Sequence, residues 1–254
     1  TKALAVQARS LEIYRQMDVA GRVLEEGKPA HGLAFFDNGK PGARLLLDDV
    51  GQPDTLFPYI LMYPQSKNER TLLDFLTLNC CPVYWNTRLT SLTQSQSSVT
   101  LLLESDGATQ TITAGWLVGA DGAHSTVRKQ LGIAFNGDTY KHLFYLIDGK
   151  LGNVKAPGLL NLFFSDHGLA AFFPMPDEGY YRVIGNLPDE LDENADLRLE
   201  DLQPSLNQIT RFNVDIEECR WMATYKLHHR MADHFRQGRC FLIGDAAHIH
   251  SPVG

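Results

Sequence analysis

Two stretches carry residue types that could do chemistry. "LVGADGAHSTVRKQLGI" (117–133) places Asp121-Gly122 after an apolar run, and "RCFLIGDAAHIHSPVG" (239–254) places Gly244-Asp245 after another. A strand that opens into a glycine turn is where α/β proteins bind nucleotides, because backbone N–H groups and the positive end of a helix dipole point out of the sheet there. A carboxylate at that edge, Asp245, accepts hydrogen bonds from ribityl or ribose hydroxyls but repels a diphosphate. The alternative is that Asp245 caps the adjoining turn. An Asp121–Arg128 pair could likewise only stiffen its own turn, contributing about 1 kcal/mol if exposed. In "DAAHIH", Asp245, His248 and His250 can ligate zinc only if a further ligand folds in. No spacing elsewhere supplies one, so no metal is expected and the histidines read as structural.

The elements that must position these residues follow from periodicity. Residues 6–17 place Val6, Leu11, Ile13, Tyr14 and Met17 mostly on one helical stripe. "HGLAFFD" and "ARLLLDD" read as strands joined by a turn over residues 38–42. "YPQSKNERTLLDFLTLN" reads as a helix with a Ser66/Glu69 capping box. Residues 82–114 are strand-like, with a hairpin across Ser105-Asp106-Gly107. Residues 116–131 read as strand, glycine turn and a short helix that turns Val127 and Leu131 inward. Four β-rich runs between 140 and 187 suggest an antiparallel sheet. A helix near Leu199–Ile209 and a strand "CRWMATYKL" come next.

Composition narrows the function classes. The chain has 254 residues, 44% of them hydrophobic, enough for one substantial core or two small ones. Its formal net charge of −7 and lack of a basic run argue against nucleic acid as the main partner. The longest apolar runs are too short to span a bilayer, and no secretory signal is visible. The four cysteines show no metal spacing, and the adjacent Cys80-Cys81 pair is poorly placed for a relaxed disulfide. They fit a reducing cytoplasm and a role as small apolar packing residues.

Taken together, the Asp-Gly and Gly-Asp stretches, in that order and with a β-rich insertion between them, resemble the paired motifs of the class A flavoprotein aromatic monooxygenases, the para-hydroxybenzoate hydroxylase-like family. "QARSLEIYRQMDVAGRVLEEGKPAHGLAFFD" and "YPQSKNERTLL" are similar to further family segments, so the resemblance covers nearly the whole chain. The family's opening Gly-x-Gly-x-x-Gly unit and its Gly-x-Gly-x-Asn segment are absent, and the chain reads as an internal fragment.

The resemblance implies an α/β fold with mixed α+β character: an incomplete FAD-binding Rossmann-like domain with an inserted antiparallel β-sheet substrate domain. The expected division is a partial FAD-binding domain and the start of the substrate sheet (1–70), the FAD-binding domain through the Asp-Gly motif (71–135), the β-rich substrate domain (136–235) and a closing FAD-binding piece (236–254). Gly244 and Asp245 would hold the ribityl chain of FAD. Asp121, Gly122 and Arg128 would lie between the FAD cleft and the nicotinamide approach. Gln65 matches a glutamine beside the flavin, and Lys2 replaces an arginine that faces the pyrophosphate, losing its bidentate fork. Leu89 falls where a strand backbone approaches the adenosine, and Pro252 where a proline lies against the ring.

Strand alternation puts Phe173 and Met175 on one face and Phe172 and Pro174 on the other. Phe173 and Met175 occupy the neighbourhood where the benzoate-binding branch has an arginine, which favours an apolar phenol or polycyclic substrate; Arg182 could still swing in to supply a charge. An ordinary apolar sheet face is the alternative.

The implied reaction is NAD(P)H-dependent hydroxylation of an aromatic ring by O₂ through a flavin C4a-hydroperoxide, with no separate nicotinamide domain, and the fragment alone inactive. Which residues are catalytic is unknown from the sequence, and homo-oligomerisation is left open. The rival readings are a non-catalytic substrate-binding module that has lost FAD, and a dehydrogenase or halogenase-like flavoenzyme. The halogenase Trp-x-Trp-x-Ile-Pro signature does not occur.

Overall fold

The computed structural model describes residues 3–51, 54–188 and 197–250. The chain divides into two compact units, one of residues 1–82 and 142–225, the other of residues 83–141 and 226–254. The first unit opens with β1 (Ala5–Val6), α1 (Ala8–Gln16), α2 (Ala20–Glu26) and β2 (Lys28–Ala30). The expected amphipathic stripe buries Leu11 and Tyr14 with Val23, but Val6 belongs to β1 and Ile13 is exposed. Next come β3 (Gly32–Asp37), β4 (Lys40–Leu46) and α3 (Leu47–Gly51). The β3–β4 turn is Asn38-Gly39 alone, because both residues take positive φ (45° and 78°), the geometry that matches strand twist in two-residue hairpins. The turn expected through residue 42 is therefore shorter. Strand β5 (Ile60–Met62) pairs with both β1 and β2 and leads into α4 (Gln65–Leu78). The Ser66/Glu69 capping box does not form: Pro64 is the N-cap, Ser66 lies within the helix, and Glu69 instead accepts a hydrogen bond from Gln65 Nε2 at 2.7 Å.

In the second unit, β6 (Thr87–Gln94), β7 (Val99–Ser105) and β8 (Ala108–Ala114) make an antiparallel sheet, with the hairpin turning on Asp106-Gly107. Strand β9 (Leu117–Gly119) and helix α5 (Thr126–Gln130) come after it, and Val127 and Leu131 are buried as expected.

The chain then builds β10 (Phe135–Leu151), β11 (Leu160–Ser165), β12 (Gly168–Pro174), β13 (Tyr180–Asn186), α6 (Leu199–Thr210) and β14 (Ile216–Ala232). In the first unit the sheet order is β14-β10-β13-β12-β11-β3-β4. The β10/β13, β13/β12 and β12/β11 pairs are antiparallel, as the turn-separated runs predict. The β11/β3 pair is parallel, a long-range pairing that no local pattern encodes. One face of this sheet buries Tyr145, Ile147, Phe163, Phe172 and Val183 against Leu202, Leu206 and Ile209 of α6. Each such side chain contributes about 1.5–3 kcal/mol by leaving water. On the other face, Phe173 and Met175 pack against Leu4, Ala30, Met62 and Leu160. Alternation thus separates Phe172 from Phe173 as the sequence predicts.

Strands β10 and β14 continue from the first unit into the second. There, β15 (Arg236–Gln237), β16 (Cys240–Leu242), a one-turn 3-10 helix (Gly244–Ala246) and β17 (His248–Ile249) complete the described chain. The sheet β15-β16-β9 packs Cys240 and Leu242 with Val127, Leu131, Val99 and Leu101. Of the four cysteines only Cys240 is buried; Cys80, Cys81 and Cys219 are exposed, contrary to the expected packing role, and all four are free thiols. No helix among the described residues is long and apolar enough to cross a membrane.

Candidate functional site

The two motif strands lie side by side. Strand β16 pairs with β9 in parallel, with Cys240 opposite Leu117, Phe241 opposite Val118 and Leu242 opposite Gly119. The ladder extends one step further, Ile243 N donating to Gly119 O at 3.0 Å. Parallel pairing makes both chains leave the sheet at the same end, so the turns bearing Asp121 and Asp245 are neighbours at the carboxyl edge of two adjacent strands. Open α/β sheets bind ligands at that edge. Gly122 and Gly244 have φ of 79° and 56°, and a Cβ at either would meet nothing within 4 Å. Glycine is required there by the left-handed backbone rather than by crowding, and it leaves bare backbone facing open space.

Asp121 is tied into its own turn. Its carboxylate accepts from Ser125 Oγ at 2.5 Å, from Thr126 N at 2.6 Å and from Val127 N at 3.1 Å, so it satisfies amides at the start of α5. Burial pushes its pKa up, but the hydrogen bonds from Ser125 and from the Val127 and Thr126 amides outweigh that, and the carboxyl sits below its ordinary range. Ser125 in turn accepts from Arg128 N at 3.0 Å.

Arg128 makes no hydrogen bond or salt bridge to Asp121 among the described residues. Its guanidinium is buried and bridges the two turns, Nη2 donating to Ala123 O at 2.7 Å and Nη1 to Ala246 O at 2.8 Å. It also lies 3.7 Å from the ring centre of Phe135. Burial pulls its pKa down, Asp121 raises it and Arg230 lowers it further. An arginine stays charged under such pressure because its intrinsic pKa exceeds 12. The residue expected beside the cofactor therefore clamps the two motifs together from beneath.

Asp245 contrasts with Asp121. It is exposed, and no described residue hydrogen-bonds or ion-pairs its carboxylate. The cap reading is not met: the 3-10 turn begins after Ile243 with no side-chain cap. Beyond the motif the chain makes this single turn and then β17, rather than the helix that a dipole argument expects. Behind the turn, Ala246 and Ala247 are buried. His248 and His250 stack at 5.5 Å, and Phe235 lies 6.0 Å from His248.

The other expected residues belong to other elements of the two units. Leu89, in β6 of the second unit, is partly buried against its core. Gln65, at the start of α4 in the first unit, clasps the backbone just ahead of β1: its Oε1 accepts from Ala3 N at 3.1 Å and its own N donates to Ala3 O at 3.2 Å. Lys2 and Pro252 lie outside the described residues. Phe173 and Met175 share one face of the first unit's sheet.

The swing expected of Arg182 is blocked. Arg182 is buried, and its Nε and Nη2 each donate to one oxygen of Asp148 at 2.7 Å. Trp221 lies 5.8 Å away, ring centre to guanidinium. Sequence reasoning missed Asp148, although a lone carboxylate inside the apolar run "LFYLIDGKL" is itself a signal, since an aspartate is seldom buried unpaired.

The fit to a flavin nucleotide rests on open left-handed glycine backbone and an uncommitted carboxylate at a parallel-strand edge. Comparison with known proteins agrees. The chain is 32% identical over 260 residues to pentachlorophenol 4-monooxygenase of Sphingobium chlorophenolicum, covering 100% of this chain and 47% of that protein. It is 30% identical over 258 residues to 6-methylpretetramide 4-monooxygenase of Streptomyces rimosus, covering 100% and 45%. The chain thus spans about half the length of these curated relatives. Its fold matches the crystal structure of p-nitrophenol 4-monooxygenase from Pseudomonas putida with a TM-score of 0.80 at 21% identity, covering 100% of this chain and 65% of that one. The family model described as "FAD binding domain" matches residues 1–254, and the chain belongs to that family.

Proposed function

We propose that this chain is the FAD-holding and ring-binding part of an aromatic monooxygenase of the cytoplasm. The overall reaction is NAD(P)H + H⁺ + O₂ + ArH → NAD(P)⁺ + H₂O + ArOH, on a neutral phenolic or polycyclic ring. The observation that carries the reading is the parallel β9/β16 pair, whose two turns are locked by one buried arginine and leave Asp245 uncommitted. Bound FAD supplies the redox chemistry that delivers one oxygen atom of O₂ to the ring.

The protein's own residues hold and orient. Asp245 accepts hydrogen bonds from ribityl hydroxyls, and Gly122 and Gly244 let the ligand approach bare backbone. Arg128 keeps both turns in register, and Asp121 fixes the start of α5. Phe173 and Met175 offer an apolar surface to the aromatic ring and exclude water from it. The substrates after which the relatives are named, a chlorinated phenol and a polycyclic pretetramide among them, support an apolar aromatic substrate for this one.

The test is titration of the full-length enzyme that contains this chain with FAD by flavin fluorescence, followed by product analysis with a panel of phenols under NADH and NADPH; the fragment by itself is expected to give no product. Hydroxylated product coupled to NAD(P)H oxidation is expected. FAD binding without any oxygenated product would argue for a flavoenzyme of another reaction. Aromatic binding without FAD binding would favour the non-catalytic module.

A further inference from the structure

The amino ends of the two motif strands meet at a groove of their own. Trp116 comes immediately before β9 and Arg239 immediately before β16, and the ladder opens between them, Leu117 N donating to Arg239 O at 3.0 Å. Asp121 and Asp245 follow the opposite ends of the same two strands, so this place is distinct from the glycine-aspartate edge. A cavity of about 630 Å³ lies here, lined by residues 94–96, Trp116, Arg236, Gly238 and Arg239, all of the second unit. Small-ligand sites have volumes of that order.

Its lining is cationic, aromatic and amide-bearing. No carboxylate lines the cavity, and neither arginine has an acidic partner among the described residues, in a chain whose formal net charge is −7. Arg239 is fixed by two carbonyls, Nε donating to Gln96 O at 2.7 Å and Nη1 to Gly115 O at 3.0 Å, which leaves Nη2 for a ligand. Arg236 donates only from Nε, to Gly238 O at 3.0 Å, and keeps both Nη groups. Guanidinium N–H groups so presented suit phosphate oxygens. The Trp116 ring centre lies 4.6 Å from the Arg239 guanidinium, 5.6 Å from that of Arg236 and 5.7 Å from the ring centre of Phe241. Trp116 is nevertheless 53% exposed, and an indole held in place yet open to water is a stacking platform for a nucleobase. The Gln94 amide oxygen is taken by Arg239 N at 3.0 Å, whereas the Gln96 side-chain amide has no partner among the described residues. A free glutamine amide matches N6 and N7 of adenine, donor to acceptor.

We propose that this groove binds a nucleoside diphosphate, with the purine stacked on Trp116, its edge on the Gln96 amide and its phosphates on Arg236 and Arg239. Two cations without internal counter-ions match a diphosphate better than a singly charged arenecarboxylate, and the amide selects a base over a plain ring. The site is separate from the edge proposed for FAD. Its test stands whether or not the enzyme hydroxylates phenols.

The experiment titrates the FAD-saturated full-length enzyme that contains this chain with ADP, adenosine and inorganic phosphate by calorimetry at low salt. ADP is expected to bind with a Kd below about 1 mM, at least about tenfold more tightly than adenosine or phosphate, and to weaken as salt rises. Arg236→Gln should weaken ADP by about tenfold or more by removing a charge-assisted donor. Trp116→Ala should weaken ADP by about fivefold or more by removing the stacking face. Both variants should retain FAD as wild type does. Should Trp116→Ala fail to fold, Trp116→Phe is expected to keep ADP within about threefold of wild type, and Arg236→Gln then carries the test. Competition by NAD⁺ for bound ADP would identify the ADP half of a dinucleotide as the occupant, and lack of competition free ADP; either supports the site. No ADP binding at about 1 mM, ADP affinity unchanged in either folded variant, or inorganic phosphate bound as tightly as ADP overturns the proposal.

Discussion

Asp121 and Asp245 are the same side chain at the mouths of adjacent parallel strands, and their surroundings give them opposite roles. Asp121 spends its oxygens on one hydroxyl and two amides of its own turn, whereas the Asp245 carboxylate is exposed with no described partner. Asp245→Ala should therefore weaken FAD by about 1.5–3 kcal/mol, the worth of a charge-assisted hydrogen bond, or roughly 10- to 150-fold in Kd. Its thermal midpoint without FAD should stay close to wild type. FAD titration and a melt, run together, check both halves.

Asp121→Asn should do the reverse, lowering the melt directly. Because the folded pKa of Asp121 is depressed, its contribution is complete above the unfolded carboxyl pKa of about 3.9 and is lost as pH falls through the folded value. The gap between the melts of wild type and Asp121→Asn should accordingly be full at neutral pH and close on acidification below about pH 4. A gap that widens in acid would contradict the assignment.

Within the elements, the strands of the first unit show what packing demands beyond pattern. Tyr145 of β10 is fully buried in the core under α6, and its hydroxyl finds no partner among the described residues. Burial without a partner also drives its pKa upward. Gly185 of β13 is its cross-strand neighbour, and a Cβ there would run into the Tyr145 ring and hydroxyl. Tyr145→Phe should hold or raise stability in urea by about 1 kcal/mol, since it removes an unsatisfied buried group and keeps the ring. Gly185→Ala should cost about 1–3 kcal/mol through overpacking. If Tyr145→Phe instead loses stability, the hydroxyl has a partner such as a buried water. Alternation alone placed Phe172 and Phe173 on opposite faces, yet the capping box at Ser66 failed, because the helix begins two residues earlier, at Gln65 after Pro64. Proline fixes its own φ near the helical value and suits a helix start, and this competes with a serine cap that sequence spacing cannot rank.

For the whole molecule, the consequence of membership in the FAD binding domain family is a ligand-linked stability. FAD at about 100 times its Kd should stabilise the holoprotein by roughly 2.7 kcal/mol, and the gain should follow FAD concentration. Hydrogen exchange should show the added protection at residues 119–128 and 243–247, the turns that Arg128 joins. Protection spread evenly over both units with no excess at those turns would place the flavin elsewhere. The same clamp makes Arg128→Met costly: it leaves the buried Ala246 carbonyl without a donor, worth about 1–3 kcal/mol, and the part-buried Ala123 carbonyl without one as well.

Short-range features were legible because they are local. Period-two and period-3.6 apolar patterns and glycine turns depend on a few neighbouring residues, so the helices at α1, α4 and α6, the hairpin at Asp106-Gly107 and the two glycine-aspartate motifs could be read from the chain alone. That these motifs belong to one sheet was suggested by their matching strand-and-turn form and by their resemblance to a family, and the parallel register that joins them came only from the fold. Which partner each side chain meets was not legible at all. Arg128 reaches Ala246 across 118 residues, Arg182 is held by Asp148 from another strand, and β11 lies parallel to β3. A buried cation takes whichever carbonyl or carboxylate the packed core brings within 3 Å, and that choice is made by the register of distant strands.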